Sequence, residues 1–234
     1  MFMATGPSND KVIPYALLGM TVVTGLVDAV SFLSLGHVFT ANMTGNIVFL
    51  AFATTHVSGL SIKRSLTALL AFLVGAILGG RVMAQASTDS QIRFAAQAFF
   101  LEVAFLSAAS LCGIGYRGDL LEHSFQPFAL IALTALAMGT RNAAVRTLAI
   151  PDLTTTVLTL TITGIGADSS LANGNNPRLA RRFASVAAMF LGAALGAVVI
   201  RYSISAALWL ATAVSAACSV VLSRSVPRLD KPSQ

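Results

Sequence analysis

The feature that most constrains this chain is a succession of apolar runs, several close to twenty residues long, each carrying at most a few ionised side chains. A helix rising about 1.5 Å per residue needs about 20 such residues to cross a bilayer core of roughly 30 Å. Inside that core, lipid-facing backbone must satisfy its own hydrogen bonds, which leaves helices and closed barrels. Runs of this length predict spanning helices, so the chain reads as all-α, a polytopic transmembrane helical bundle. Composition supports this: of 234 residues 56% are hydrophobic and 10% charged, where soluble domains carry roughly 25% charged residues. So little charge cannot cover a water-facing surface, but it suits one facing membrane lipids.

The first run extends from Val12 to Val38, with Asp28 its only ionised group. A short one follows from Asn42 to Val57, then Leu66 to Val82, then Phe94 to Gly115, which contains Glu102. The fifth begins at Phe125, stays apolar to Met138 and then meets Arg141, Asn142 and Arg146. A short, threonine-rich run from Leu153 to Ile165 precedes the last two, Phe183 to Ile200 and Ala206 to Leu222. The first run is too long for a signal-peptide core and has no small-residue cleavage site at its end. Eight crossings put both termini on one face. Lys11, Lys63, Arg64, Arg117, Arg178, Arg181, Arg182, Arg224, Arg228 and Lys231 then share the terminal face, against Arg81, Arg93, Arg141, Arg146 and Arg201 towards the other. That bias predicts cytoplasmic termini.

The chain also repeats. GLVDAVSFLSLGHVFTANMTGN from Gly25 aligns with GTRNAAVRTLAIPDLTTTVLTL from Gly139 at an offset of 114, placing Asp28 over Asn142 and Thr40 over Thr154. At an offset of 117, Arg64 lies over Arg181, Gly75 over Gly192 and Gly79 over Gly196. The boundaries this predicts are a cytoplasmic N-terminal segment (1–11), a first transmembrane repeat (12–116), a connector (117–124), a second repeat (125–222) and a cytoplasmic tail (223–234). Each repeat has about four helices. With an even number of crossings in each, the repeats would be parallel, related by an axis along the membrane normal. Gly75, Gly79, Gly192 and Gly196 are small-residue pairs of the kind that let membrane helices approach closely; their spacing leaves open a seam within the chain or one between the subunits of a homodimer.

The polar residues in apolar surroundings are the candidate site. Asp28 lies deep in the first helix, where a carboxylate is costly unless paired, hydrated or protonated, and such residues often mark ion or substrate paths. The alternative is a packing ion pair with Arg141 or Arg146. Glu102 has the same problem closer to a helix start. Asn42, Thr44 and Asn46 alternate at the start of the second run, with Gly45 between them. Asn142, Thr154, Thr155 and Thr156 occupy the matched region of the second repeat. Asn42 and Asp152 are each placed to cap the short helix that follows. Two helix starts at matched places create two partial positive ends near membrane depth, as in the broken helices of transporters. The plainer reading is that they only end one helix and begin another.

Other chemistries are poorly supported. Cys112 and Cys218 lie within apolar runs as small hydrophobes, and no Cys or His cluster has metal-ligand spacing, so neither metal nor cofactor is expected. The basic residues are scattered, not gathered into an arm, which argues against nucleic acid. No nucleotide-binding, metalloprotease or serine-hydrolase motif is present and no catalytic residue is assigned. The segment Asp28-Ala29, then Gly36, then Ala41-Asn42-Met43-Thr44-Gly45-Asn46 resembles the YoaK-like family of uncharacterised bacterial membrane proteins, the domain of unknown function numbered 1275, across roughly Pro14 to Leu222. The resemblance implies a multi-pass protein of the bacterial inner membrane and carries no activity with it. Two functions stay open: a secondary transporter of a small solute, proton or cation with its site around Asp28, and a structural or regulatory membrane protein without passage for solute. A lipid-acting enzyme is a distant third.

Overall fold

A computed structural model describes residues 9–87, 90–116, 118, 125–153 and 155–225. The order is α1 (Asn9–Ser34), α2 (Met43–Thr54), α3 (Ile62–Met83), α4 (Gln91–Cys112), α5 (Phe125–Leu148), α6 (Thr159–Ala167), α7 (Leu179–Ile200) and α8 (Ile204–Arg224), with a 3₁₀ turn at Ser170–Ala172. The helices form where apolar runs are long and start where local chemistry allows. Ser61 accepts from the Arg64 amide at 3.5 Å to begin α3, and Ser203 accepts from the Ala206 amide at 3.2 Å to begin α8. Hydroxyls within the spans bond back one turn, as from Thr21 to the Leu17 carbonyl and from Ser110 to that of Leu106, so little polar surface is left open.

Six of these helices are long and apolar enough to cross a membrane: α1 over Val12–Ser34, α3, α4, α5, α7 and α8. At 12 and 9 residues, α2 and α6 are too short. This corrects the eight crossings expected from run lengths. The path of the backbone shows why. After α1 the chain turns through Gly36 and His37, both at positive φ, and descends beside the last turns of α1 until the Thr40 and Ala41 amides meet Asp28. Helix α2 then climbs back, bringing Gly59 beside His37. Residues 35–61 therefore form a hairpin that enters and leaves by one face. Residues 149–178 do the same in the second half: Asn142 near the end of α5 meets Thr156 at the tip, and α6 returns to Arg182 at the start of α7.

Contacts between helices fix their directions. Gly75 faces Leu136 and Gly79 faces Thr140, so α3 and α5 run parallel; Gly192 faces Val22 and Gly196 faces Leu26 and Ala29, so α1 and α7 do too. Ser110 meets Thr212 and Gly113 lies by Leu208, Met20 meets Ser215 and Gly19 lies by Cys218, and Gln126 meets Cys112 while Arg141 meets Glu102, so α8 is antiparallel to both α4 and α1, and α5 antiparallel to α4. Helices α1, α4 and α7 point one way and α3, α5 and α8 the other. Each half thus has three crossings and one hairpin, and the halves are opposed in the membrane. The repeat is inverted, about an axis in the membrane plane, and not parallel.

The glycines explain the close approach. A Cβ on Gly75, Gly79 or Gly139 would collide with a backbone carbonyl across the α3/α5 seam, and one on Gly192 or Gly25 with a carbonyl across the α1/α7 seam. Both seams lie within the chain and join one half to the other. In lipid such backbone contact carries much of helix association. Around them α1, α4, α5 and α8 enclose the core, where Leu17, Met20, Leu26, Phe99, Leu106, Leu130, Ile131, Met138 and Leu208 are fully buried.

Candidate functional site

The two hairpins enter from opposite faces and their tips meet beside α1. The first is held by Asp28, whose Oδ1 accepts from the amides of Thr40 (3.2 Å) and Ala41 (3.0 Å). Asn46, buried on α2, grips Phe39 at both ends of its peptide group: its Oδ1 accepts from the Phe39 amide at 2.9 Å and its Nδ2 donates to the Phe39 carbonyl. Phe39 stacks on Phe32 and Phe49, with ring centroids 5.0 and 5.8 Å apart, and His37 meets Phe32 edge-on. One turn along α1 from Asp28, the Thr24 hydroxyl donates to the Thr155 carbonyl at 2.8 Å and so holds the second tip. Asn142, which replaces Asp28 in the second half, accepts from the Thr156 hydroxyl at 2.7 Å and donates to the Met138 carbonyl at 3.0 Å. Asp28 and Asn142 therefore do the same mechanical task, each fastening the hairpin that follows its own helix.

Beneath the tips lies an ion pair shielded from solvent. Arg141 Nη1 is 3.2 Å from Glu102 Oε1, and both side chains are fully buried. Nη1 also donates to the Met20 carbonyl at 2.9 Å, and Nη2 donates to the Thr24 hydroxyl at 2.6 Å and lies 2.8 Å from Met138 Sδ. The pairing of Asp28 with Arg141 or Arg146 gives way to this one: Asp28 is engaged by backbone amides and Arg141 turns to α4. A chain of contacts runs from Glu102 through Arg141 and Thr24 to the second tip.

Where the tips face each other they leave a cavity of about 360 Å³ lined by Asn42, Thr44, Gly45, Val48, Phe49 and Thr156 to Thr159. Both α2 and α6 begin there. Neither start carries a side-chain cap: Asn42 stands at the cap of α2 without making the bond, and Leu158, not Asp152, precedes α6. The first turns of both helices thus present positive ends, together with the Asn42 amide and the hydroxyls of Thr44 and Thr159, and among the described residues no charged side chain lines the space. Such a lining donates hydrogen bonds from both sides. Of the sequence candidates, Asn42, Thr44 and Thr156 line the cavity; Asn46, Asp28 and Asn142 brace its walls; Glu102 and Arg141 lie below it. Thr155 is buried with its carbonyl held by Thr24, and Thr154 lies outside the described residues. Among the described residues no three His, Cys, Asp or Glu side chains gather as metal ligands.

Sequence reasoning passed over Thr24 and a second polar cluster. Thr21, Thr24, Asp28 and Ser31 recur at helical spacing along one stripe of α1, a signal that could have marked Thr24. The second cluster is at the outer end of the second hairpin. Asp152 receives Arg178 Nε at 2.6 Å and Arg182 Nε at 3.0 Å, while Arg182 Nη2 reaches Asp168 at 2.7 Å and its Nη1 the Gly164 carbonyl. Burial alone would raise the Asp152 pKa, but the hydrogen bonds and charges of Arg178 and Arg182 outweigh it and hold this carboxyl below the ordinary carboxylate range. A carboxylate so depressed stabilises the fold above its unfolded pKa and loses that contribution as pH falls through the folded value. Acidifying detergent-solubilised protein below about pH 4, near the unfolded carboxylate range, should lower its melting temperature, and Asp152→Asn should flatten that acid limb. An unchanged limb in the variant would remove Asp152 from the acid response.

The profile described as "Protein of unknown function (DUF1275)" matches residues 16–221. Among curated proteins, the UPF0700 transmembrane protein YoaK of Bacillus subtilis (strain 168) is similar, 37% identical over 155 residues, which span 66% of each chain. No solved structure matches. With six spans, an inverted repeat and a profile match covering most of its length, the chain belongs to the DUF1275 family of multi-pass membrane proteins.

Proposed function

We propose that this protein is a secondary transporter of a small polar solute, bound between the starts of α2 and α6. The observation that carries the reading is the meeting of two oppositely inserted half-helices, both N-terminus first, at one uncharged cavity. Positive helix ends and side-chain donors favour an anion or a neutral solute rich in acceptor oxygens over a bare cation. An inverted repeat around such a site is the architecture of alternating access, in which one hairpin shields each face.

Asp28 is the coupling group in this reading. Ionised, it holds the Thr40 and Ala41 amides strongly; protonated, it is a weaker acceptor and slackens the first hairpin. Uptake into proteoliposomes, screened over small organic anions and neutral polar solutes under an imposed pH gradient, tests the proposal. Thr159→Trp, which fills the cavity, should cut uptake at least tenfold. Asp28→Asn keeps an acceptor oxygen and should preserve downhill movement while abolishing the response to the gradient. A structural or regulatory protein would show no flux for any solute, and that outcome would sink the reading.

We infer that both termini face the cytoplasm. With six spans, Lys11, Arg81, Arg93, Arg146, Arg178, Arg181, Arg182 and Arg224 among the described residues flank the terminal face, against Lys63, Arg64 and Arg201 on the other, where eight crossings gave the same set as Lys11, Lys63, Arg64, Arg178, Arg181, Arg182 and Arg224 against Arg81, Arg93, Arg141, Arg146 and Arg201. Three crossings per half move Lys63 and Arg64 away from the terminal face and Arg81, Arg93 and Arg146 towards it, so the basic bias supports the orientation more strongly than eight crossings did.

A further inference from the structure

Thr21 and Thr134 donate back to carbonyls of their own helices, to Leu17 at 3.0 Å and to Leu130 at 2.6 Å, the ordinary resting place of a threonine inside a helix. Thr24 has the equivalent carbonyl, that of Met20, within reach at 3.1 Å, yet it lies closer to the Thr155 carbonyl on the second hairpin, at 2.8 Å. A hydroxyl has one proton to give. Arg141 bears on which carbonyl receives it. Its Nη1 donates to the Met20 carbonyl at 2.9 Å, so that carbonyl already has a strong donor, and its Nη2 donates to the Thr24 oxygen at 2.6 Å. Accepting a charged donor polarises the Thr24 hydroxyl and makes its own proton a better donor. Met20, Thr24, Glu102 and Arg141 are all fully buried, and Glu102 fixes the guanidinium from α4 at 3.2 Å. The second tip needs such a hold. Thr155 has a φ of 61°, in the left-handed region that β-branched residues seldom adopt, and among the described residues its buried hydroxyl has no hydrogen-bond partner. Thr156, which follows, lines the cavity, and α6 begins at Thr159.

We propose that Arg141 is a positioning residue of the solute cavity: held by Glu102, it turns the Thr24 hydroxyl from its own helix onto the Thr155 carbonyl, and so fixes the wall that the second hairpin supplies. This rests on the transport reading for its purpose, but the hold can be measured without a solute. It also gives the buried ion pair a task besides stability, to which such pairs often add little. The guanidinium suits the task because it is a rigid fork that stays charged: one prong occupies the competing carbonyl while the other reaches the hydroxyl.

Amide hydrogen exchange of the full chain in detergent tests it, read over residues 155–162 at the second tip against residues 39–46 at the first. Thr24→Val keeps the side-chain shape and removes the hydroxyl. Exchange over 155–162 should then rise about tenfold, the effect of losing one buried hydrogen bond, with little change over 39–46. Thr24→Ser restores the hydroxyl and should bring exchange back close to its original rate. Arg141→Met leaves Thr24 intact but free to fall back on Met20, so it should produce the same local rise, and adding Thr24→Val to it should produce no more. Arg141→Lys keeps a cation beside Glu102 without the fork; it should give a partial rise and serves if the Met variant does not fold. Unchanged exchange over 155–162 in Thr24→Val or in the folded Arg141 variants would overturn the assignment. So would an equal rise at both tips, a rise that Thr24→Ser fails to reverse, or fully additive effects in the double variant. A rise confined to the second tip, with no solute flux in any assay, would keep the assignment and remove the transport reading alone.

Discussion

Glu102→Gln should destabilise the folded protein by about 3–5 kcal/mol, the usual result of stripping a buried charge of its partner. Arg141 would keep its charge, since a guanidinium does not deprotonate in proteins, and it would stay fully buried with only the Met20 carbonyl, the Thr24 hydroxyl and Met138 Sδ to solvate it. The reverse change, Arg141→Met, should cost less through electrostatics because Glu102 can take up a proton and become neutral. It should instead loosen Thr24, and with it the carbonyl of Thr155 at the second tip. The double variant should recover part of the loss, because two neutral side chains replace a pair that is itself incompletely satisfied: Glu102 Oε2 and Arg141 Nε meet no protein partner among the described residues. Unfolding of the four proteins in detergent completes the cycle. Strictly additive losses would show that the two charges do not depend on each other.

Two neighbouring glycines of α3 should respond with opposite signs. Gly79→Ala places a methyl group against the backbone carbonyl of Thr140, which cannot rotate away as a side chain would, so α3 and α5 must separate. Overpacking typically costs about 1–3 kcal/mol, and here we expect the upper end or loss of folded protein. Gly80→Ala, one residue along, meets no atom within 4 Å and should be neutral or stabilising by up to about 1 kcal/mol, the helix-propensity difference between the two residues. Folded yield and melting temperature of the two variants side by side decide it; equal losses would mean that the seam is not held by backbone contact.

The spans, the glycine pairs and the matching of Asp28 with Asn142 were legible because each is a local or periodic pattern. Crossing number was not. A run such as Asn42 to Val57 is apolar enough to enter a membrane, and nothing in its hydropathy says that it returns by the face it entered. Only the bonds from Thr40 and Ala41 back to Asp28 reveal the hairpin, and the direction of the whole second half follows from it. Candidate residues were visible as polar groups in apolar surroundings, but their partners were not. Glu102 and Arg141 are 39 positions apart and Thr24 and Thr155 are 131 apart, distances over which one sequence carries no pairing signal. Asp152 shows the same limit, because its position suggested a helix cap until its partners at the start of α7, Arg178 just before it and Arg182 in its first turn, were seen.

The seams also say something about how the molecule is made. Neither half is finished by itself: α1 of the first half has its close seat on α7, and α5 of the second has its seat on α3. A ribosome delivers α1, with Thr21, Thr24, Gly25 and Asp28 along its length, well before the surface that will cover it emerges. The second half meets no such delay, because α3 is already in the membrane when α5 arrives. A lone half would remain incomplete until a second copy of itself inserted upside down beside it. Joining the two halves in one chain fixes their opposed orientations once, by the topology of a single insertion.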